Sequence, residues 1–141
     1  MKISFDKKFF EKKKAENKLI NRHFQAALKD LKIASRDKEP EVIFVFSYSA
    51  LIKTGIVLAL SMGHRVRSRQ GHHIVVIEKL AQILGEKDIE AIGNIMRKKR
   101  NLDLYEGGII ISAEEAKDYL EFVGEIVSKA EKYLKSQNSL F

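Results

Sequence analysis

The stretch PEVIFVFSYSALIKTGIVLALSMG, residues 40–63, decides the fold of this chain. Between residues 42 and 62 it contains one charged residue, Lys53, and it begins with Pro40, a residue suited to the first turn of a helix. Apolar side chains occupy nearly the whole circumference of this helix, which is the pattern of a helix buried on every side. Gly63 follows as a natural helix end. The stretch therefore predicts a central helix with other helices packed around it.

A membrane-spanning helix is the alternative interpretation of this stretch, because about 20 apolar residues suffice to cross the bilayer core. Serine, threonine, tyrosine and glycine residues interrupt it, however, and Lys53 lies at its centre, where a charge is costly in lipid. We therefore favour the central helix of a bundle and expect no membrane contact. The start, Met1–Phe5, lacks the apolar core of a signal peptide, and the absence of cysteine suits a reducing compartment, so we expect a cytoplasmic protein.

Four further stretches have apolar residues separated by steps of three and four, the spacing of one helix face. Gly85 closes one of them, Gly107-Gly108 closes the next, and Asp88 is a good capping residue between the two. Ser112 and Glu115 have the spacing of a capping box for the last helix. The predicted helices cover about residues 6–34, 40–62, 72–84, 88–105 and 113–135.

The predicted fold is all-α, an antiparallel up-and-down bundle of about four to five helices, because short connections favour antiparallel neighbours. A chain of 141 residues fits one domain, so we expect a single domain over residues 1–141, with a core at about 5–135 and a frayed tail at 136–141. The apolar run Ile109-Ile110-Ile111 fits either an extended segment or one tucked under the bundle.

Positive charge is concentrated in two parts of the chain, whose net charge is +7. Residues 1–40 carry 12 Lys/Arg against 6 Asp/Glu, residues 64–100 carry 9 against 4, and the part from 101 onward carries 4 against 8. Such segments indicate either an anionic ligand or pairing between the basic helices and the acidic last helix. The absence of cysteine excludes disulfides, thiolate catalysis and cysteine-based metal sites.

Late in the fourth predicted helix, RKKRNLDLY (residues 97–105) gathers polar groups on one face. At about 100° per residue, Arg97, Asn101 and Tyr105 share a face, and Arg100 lies at its border. Guanidinium groups bind phosphate through paired donors and keep their charge, so the two arginines suit a phosphodiester contact. Basic residues near a helix end also interact favourably with the helix dipole or with a local acidic partner, and this interpretation stays open.

The connector after the central helix is a second basic candidate. Arg65, Arg67 and Arg69 alternate, so in an extended loop they would lie on one side, as contact with a phosphate backbone requires. The adjacent His72 and His73 point about 100° apart on a helix, which makes them a poor pair of metal ligands. We expect one of the two to cap or pack and the other to be exposed, and we predict no metal and no cofactor.

Other catalytic patterns are missing from the sequence. It contains no GxxxxGK phosphate loop, no GxGxxG after a strand, no HExxH and no GxSxG. No carboxylate has an apolar sequence setting that would raise its pKa, so a paired-acid mechanism has no candidate.

The layout of these motifs resembles the HEPN domain family. A glycine-ended second helix, the Gly71-His72-His73 start of the third and the Arg100-Asn101 pair late in the fourth carry the resemblance, over roughly residues 15–135. The family's signature is RNxxxH, an arginine followed a few residues later by a histidine. The resemblance implies a helical bundle that forms homodimers. It also implies either a metal-independent ribonuclease, often a toxin paired with a nucleotidyltransferase antitoxin, or a binder of RNA or nucleotides.

Tyr105 stands where the family has its histidine when Arg100 and Asn101 are matched to the first two positions of the signature. A second register takes Arg97 as the arginine, puts Asp103 at the histidine position and leaves Tyr105 as a trailing tyrosine. The first register keeps the Arg-Asn pair and is preferred; it would make Arg100 and Tyr105 the catalytic residues. Tyrosine, with an ordinary pKa near 10, is a poor base at neutral pH, so binding is favoured over cleavage.

Two hypotheses follow. The first is a HEPN-like domain that binds RNA or a nucleotide through Arg97, Arg100, Asn101 and Tyr105, with the connector arginines and the two histidines extending the contact. The second is a non-catalytic protein-interaction module that uses the same face to contact a nucleotidyltransferase or antitoxin partner.

Overall fold

A computed structural model describes residues 2–137 of the chain. Within these residues, five helices and a two-stranded antiparallel sheet form a helical bundle, so the predicted all-α fold is confirmed. The elements follow in the order β1 (Phe10–Lys12), α1 (Asn17–Arg36), α2 (Pro40–Ser61), β2 (His64–Val66), α3 (His72–Leu84), α4 (Lys87–Tyr105) and α5 (Ala113–Gln137).

The central helix α2 packs against α1, α5 and α3 and supplies much of the buried core. Phe44, Leu51 and Leu58 are fully buried and belong to one apolar cluster that includes side chains from the other four helices. By length and composition alone α2 could cross a membrane, and 61% of its most apolar 18-residue window is buried inside the protein. The core helix of a soluble bundle meets the same test of length and composition.

Lys53, the charged residue in the middle of α2, has an acidic partner on α1. Its Nζ lies 2.8 Å from Asp30 Oδ2, and the hydroxyl of Ser49 donates to the same oxygen at 2.6 Å. Asp30 is 5% exposed, and a buried carboxylate is tolerated only when it is paired and hydrogen-bonded. The lysine in the apolar stretch therefore joins α2 to α1.

The chain before α1 differs from the prediction, which began the first helix at about residue 6. Residues 10–12 form β1, which pairs with β2 so that Phe10 lies opposite Val66. The N–H of Arg67 continues the pairing by donating to the carbonyl of Phe9 at 2.6 Å. Pairing with a distant strand leaves Phe10 only 2% exposed, and this burial outweighs the local helix propensity of the surrounding lysines and glutamates. As a result α1 begins at Asn17.

Most other predicted helix ends agree with the structure. Gly63 and Gly85, which follow α2 and α3, have φ angles of +82° and +71°, a conformation that glycine adopts without strain. The capping box is confirmed, since the N–H of Glu115 donates to Ser112 Oγ at 3.0 Å and the N–H of Ser112 donates to Glu115 Oε1 at 3.4 Å. The predicted cap at Asp88 is wrong, because α4 begins before it and Asp88 lies in the first turn.

The last helix continues to Gln137, two residues beyond its predicted end at 135. The remainder of the predicted tail, residues 138–141, lies outside the described residues. Before α5, the three isoleucines belong to no helix or strand: Ile109 and Ile111 are partly buried against the core, and Ile110 is 100% exposed. The two outer side chains of the run are therefore tucked against the bundle, and the middle one faces outward.

Two glycines allow α3 to approach its neighbours closely. A Cβ on Gly55 of α2 would lie 2.6 Å from Val76 Cγ1, and a Cβ on Gly93 of α4 would lie 2.8 Å from Ile77 Cγ2. Carbon atoms in good contact are about 3.5–4.0 Å apart. The missing side chains thus let α3 fit against both α2 and α4, and this packing sets the start of α3 beside the end of α4.

Candidate functional site

The end of α4 and the start of α3 enclose a cleft of about 530 Å³. The α4 wall consists of Arg97, Asn101, Leu104 and Tyr105, so the residues that were expected to share a helix face line one cavity together. The opposite wall is the segment 69–74. Among the described residues, no aspartate or glutamate lines this cleft.

Arg97 is the most available cation of the cleft. Its Nε donates to Asn94 Oδ1 at 3.1 Å, and it forms no ion pair with a carboxylate within residues 2–137. The remaining guanidinium donors are free to bind a phosphate. Tyr105 is 79% exposed at the rim, and an exposed aromatic ring can stack on a nucleobase.

Arg100, in contrast, has an acidic partner in its own helix. Its Nη1 lies 2.7 Å from Asp103 Oδ2, in an ion pair whose two side chains are 25% and 13% exposed. Glu41 at the start of α2 also reaches Asp103, and this hydrogen bond together with the charge of Asp103 raises the pKa of Glu41. The sequence did not indicate this carboxylate pair because its members come from different helices. The alternative interpretation, in which a basic residue near the helix end pairs with a local acidic residue, therefore applies to Arg100. It does not apply to Arg97.

His73 lies in the first turn of α3, where it separates the cleft from a second cavity of about 430 Å³ between α2 and α4. Its Nδ1 is 2.8 Å from the hydroxyl oxygen of Tyr48, a buried residue of α2. Burial lowers the pKa of His73 to about 4, and the positive charges of Arg97 and Arg100 act in the same direction. Burial also raises the pKa of Tyr48. At neutral pH, then, an uncharged imidazole and an uncharged phenol stand at the centre of the site.

His72 has a defined proton position. Its Nδ1 lies 2.6 Å from the carbonyl oxygen of Arg69. Because a carbonyl oxygen can only accept, Nδ1 carries the proton, and Nε2 keeps a lone pair in the neutral ring. Both histidines are half-buried, so the expectation that one would be exposed is wrong, and the expectation that one would cap or pack describes both.

The connector arginines mainly hold the N-terminal segment in place. Arg65 and Arg67 both contact the carboxylate of Glu11, at 3.3 and 3.7 Å, which agrees with the prediction that alternation puts them on one side. Arg67 and Arg69 also donate to backbone carbonyls that precede β1, at 3.2 and 2.9 Å. Of the three, Arg69 alone lines the cleft between α3 and α4.

The site offers two chemical functions side by side. Cationic and amide donors on α4 can bind a phosphate, and the neutral imidazole of His73 on α3 can accept a proton next to them as a weak base. The sequence did not locate the second function, because nothing local links residue 73 to residues 48 and 97. In the described part of the chain, no group of three His, Asp or Glu side chains could hold a metal ion.

Comparison of the chain with models of protein families, with curated proteins and with solved structures finds no match. The resemblance to the HEPN family thus rests on the motif residues of the sequence alone.

Proposed function

We propose that this protein is a HEPN-like domain that binds RNA or a nucleotide in the cleft between α3 and α4. The observation that carries the proposal is the position of Arg97, which lines an acid-free cleft and has no carboxylate partner among the described residues. A phosphate group would supply the missing partner, because a guanidinium binds phosphate oxygens through two parallel hydrogen bonds. The adjacent amide of Asn101 offers a further donor.

Planar and apolar groups around the arginine favour a nucleotide over an inorganic anion. Tyr105 and Leu104 are 79% and 56% exposed on the α4 wall, and Ile74 is 45% exposed on the α3 wall. Such groups contact the face of a base, whereas a small inorganic anion gains no favourable contact from them. A volume of about 530 Å³ is in the range of small-molecule binding sites.

Cleavage of the bound RNA is a second candidate function, and His73 favours it. If Nδ1–H donates to the Tyr48 oxygen, Nε2 keeps its lone pair and can take the proton from a ribose 2′-hydroxyl. The 2′-oxygen would then bond to phosphorus, the bond to the 5′-oxygen would break, and that oxygen would take a proton from water. Arg97 would stabilise the charge on the phosphorane. His73 would thereby fill the role of the histidine that the motif lacks, with Tyr105 left to contact the base.

Binding is tested with a labelled RNA oligonucleotide titrated with wild type, Arg97→Ala and the matched control Lys98→Ala at two salt concentrations. Lys98 is exposed, lies next in the same helix and lines none of the cavities. We expect Arg97→Ala to weaken binding and to reduce the salt slope by about one, and we expect Lys98→Ala to change little. Wild-type protein that fails to bind RNA or nucleotides at low salt would overturn the proposal.

Cleavage is tested on the same RNA in the presence of EDTA. We expect a 2′,3′-cyclic phosphate product from wild type and from Tyr105→Phe, and none from His73→Gln, which still binds. If Tyr105→Phe loses cleavage and His73→Gln retains it, the residue that transfers the proton would instead be Tyr105, which stands at the histidine position of the motif.

The interaction-module hypothesis is supported by apolar side chains around the end of α4. Leu102, Leu104 and Ile110 are more than half exposed. If the protein binds no RNA, but a nucleotidyltransferase or antitoxin partner forms a complex that Leu102→Asp disrupts, this second hypothesis replaces the first. Homodimer formation, which the resemblance implies, is measured by light scattering on the same samples.

A further inference from the structure

Three cavities on one side of the molecule adjoin each other. The α3–α4 cleft shares His73, Asn101 and Leu104 with the cavity between α2 and α4. That second cavity shares Ile56 with a third one of about 450 Å³, which is enclosed by α1, α2 and β2. The three form a continuous surface, the α2 track, that follows the outer face of α2 from the end of α4 to β2.

The charge of the α2 track is uniform in sign. Although the chain has 19 Asp and Glu, none of them lines any of the three cavities within residues 2–137. The cationic side chains that line the track are Lys13, Lys53, Arg65, Arg69, Arg97 and Arg100. They are distributed over all three cavities. The positive charge of the track therefore attracts an anion long enough to extend along all of it.

Some of these cations already have an acidic partner beyond the lining. Lys53, Arg65 and Arg100 contact Asp30, Glu11 and Asp103, at 2.8, 3.3 and 2.7 Å. Lys13, Arg69 and Arg97 form no ion pair among the described residues. Arg69 and Arg97 lie in the first cavity and Lys13 in the third, so uncompensated positive charge lies at both ends of the track.

In the middle of the track the two lining cations, Lys53 and Arg100, are already paired with carboxylates, and apolar side chains are exposed beside them. Between the two charged ends, the surface of α2 presents Val45, Phe46 and Ile56, which are each partly exposed. Charged ends alone would suit two separate phosphates. An apolar and aromatic stretch between them suits the bases of a single strand, which stack on such surfaces while the phosphates meet the cations.

We propose, on the basis of the function proposed above, that the ligand is a single strand of RNA that occupies the whole α2 track and not a mononucleotide confined to the α3–α4 cleft. Val45 and Leu60, which line the second and third cavities, are about 22 Å apart along the helix axis at about 1.5 Å per residue. At about 3.4 Å per stacked nucleotide, that distance, which leaves out the first cavity, corresponds to roughly six or seven nucleotides, so the whole track holds at least that many.

The test measures the affinity of wild-type protein for oligouridylates of increasing length, from one to about ten nucleotides. We expect affinity to rise with length through at least roughly seven nucleotides and then to level off. Single-stranded DNA of equal length, which lacks the 2′-hydroxyl, distinguishes RNA recognition from general binding of single strands. A mononucleotide that binds as tightly as the long oligomers would overturn the α2 track and leave the binding function intact.

The far end of the track is tested with Lys13→Glu, with Lys14→Glu as the matched control. Lys14 is the exposed neighbour of Lys13 and lines none of the three cavities. We expect Lys13→Glu to weaken binding of an eight-nucleotide strand by roughly tenfold and to leave a dinucleotide unaffected, because only the longer strand reaches this end. Equal effects of the two variants on both ligands would count against the track.

Two other outcomes separate this inference from the function on which it rests. If Arg97→Ala binds every oligomer as well as wild type does, the proposed function itself is wrong. If Phe46→Ala converts a dimer into a monomer in light scattering without a change in RNA affinity, the middle of the track is an interface between two copies of the chain, and the single-strand proposal is wrong.

Discussion

The two groups of arginines, in the β2 connector and late in α4, are equally basic in the sequence and very different in the structure. Arg65 and Arg67 share the carboxylate of Glu11, and Arg67 also donates to a backbone carbonyl of the N-terminal segment. Within residues 2–137, Arg97 donates to a neighbouring amide and forms no ion pair, and no aspartate or glutamate lines its cleft. Arg65 and Arg67 hold the connector against the N-terminal segment, whereas Arg97 keeps guanidinium donors that can bind a ligand.

The comparison shows that a cationic side chain indicates a ligand-binding site only where no carboxylate or backbone carbonyl of the protein already binds it. Within each group the members also differ. Arg69 belongs to the connector but lines the cleft, and Arg100 belongs to α4 but is paired with Asp103. What decides between structure and binding is thus the position of a few carboxylates and carbonyls, some of them distant in the sequence, such as Glu11, and one of them, Asp103, in the same helix.

The largest difference between the two groups is expected in ligand affinity. Arg97→Ala removes a charge-assisted contact of about 1.5–3 kcal/mol, so RNA affinity should fall roughly 10- to 100-fold with little change in stability. Fluorescence anisotropy and urea unfolding of the same preparations measure the two quantities. An Arg97→Ala protein that loses stability and keeps its affinity would place Arg97 with the structural arginines.

The position of the α4 group beside the start of α3 depends on how closely α3 packs against α2. The variant Gly55→Ala tests this packing. Its new Cβ would collide with Val76 Cγ1 at 2.6 Å and with the Val76 carbonyl oxygen at 3.1 Å. We expect a loss of about 1–3 kcal/mol in the free energy of unfolding, because overpacking forces α2 and α3 apart. Gly124→Ala in α5 is the control, since open space surrounds that position and alanine should stabilise the helix by up to about 1 kcal/mol. Equal stability of the two variants would contradict this account of α3.

The connector group should respond in the opposite way to the α4 group. Arg67→Ala removes the bond to the carbonyl before β1 and the contact with Glu11, so it should cost about 1 kcal/mol in stability. RNA affinity should stay unchanged, because Arg67 lines none of the cavities of the α2 track. Chemical denaturation measures the loss. A marked fall in affinity would show that Arg67 contacts the ligand after all.

The smallest expected effect is a pH dependence that comes from His73. In the unfolded chain a histidine takes up its proton near pH 6.5, whereas the folded protein binds it only near about pH 4. The unfolded state therefore binds more protons in this window, and stability should fall as the pH decreases from about 6.5 to 4. Urea unfolding at several pH values should show a smaller decrease for His73→Gln than for wild type. An NMR titration of His73 near pH 6.5 would contradict the buried, neutral imidazole.

Much of the fold could be predicted because its signals are local. The apolar run of α2, the glycines after α2 and α3 and the capping box before α5 act within a few residues, and the structure confirms them. The failure at residues 6–16 has a different origin. There the local sequence favours a helix, and a partner strand more than 50 residues away, opposite Phe10, determines the conformation.

The sequence by itself determined the helical bundle, the central position of α2 and the shared face of Arg97, Asn101 and Tyr105, since helical periodicity fixes which residues lie side by side. Only the tertiary structure decided that His73 and Tyr48 join that face, that Glu41 reaches Asp103, and that Glu11 engages two of the connector arginines. These contacts connect different helices and strands. They depend on the close approach of α3 to α2 and α4 and on the β1–β2 pairing, which no local pattern in the chain specifies.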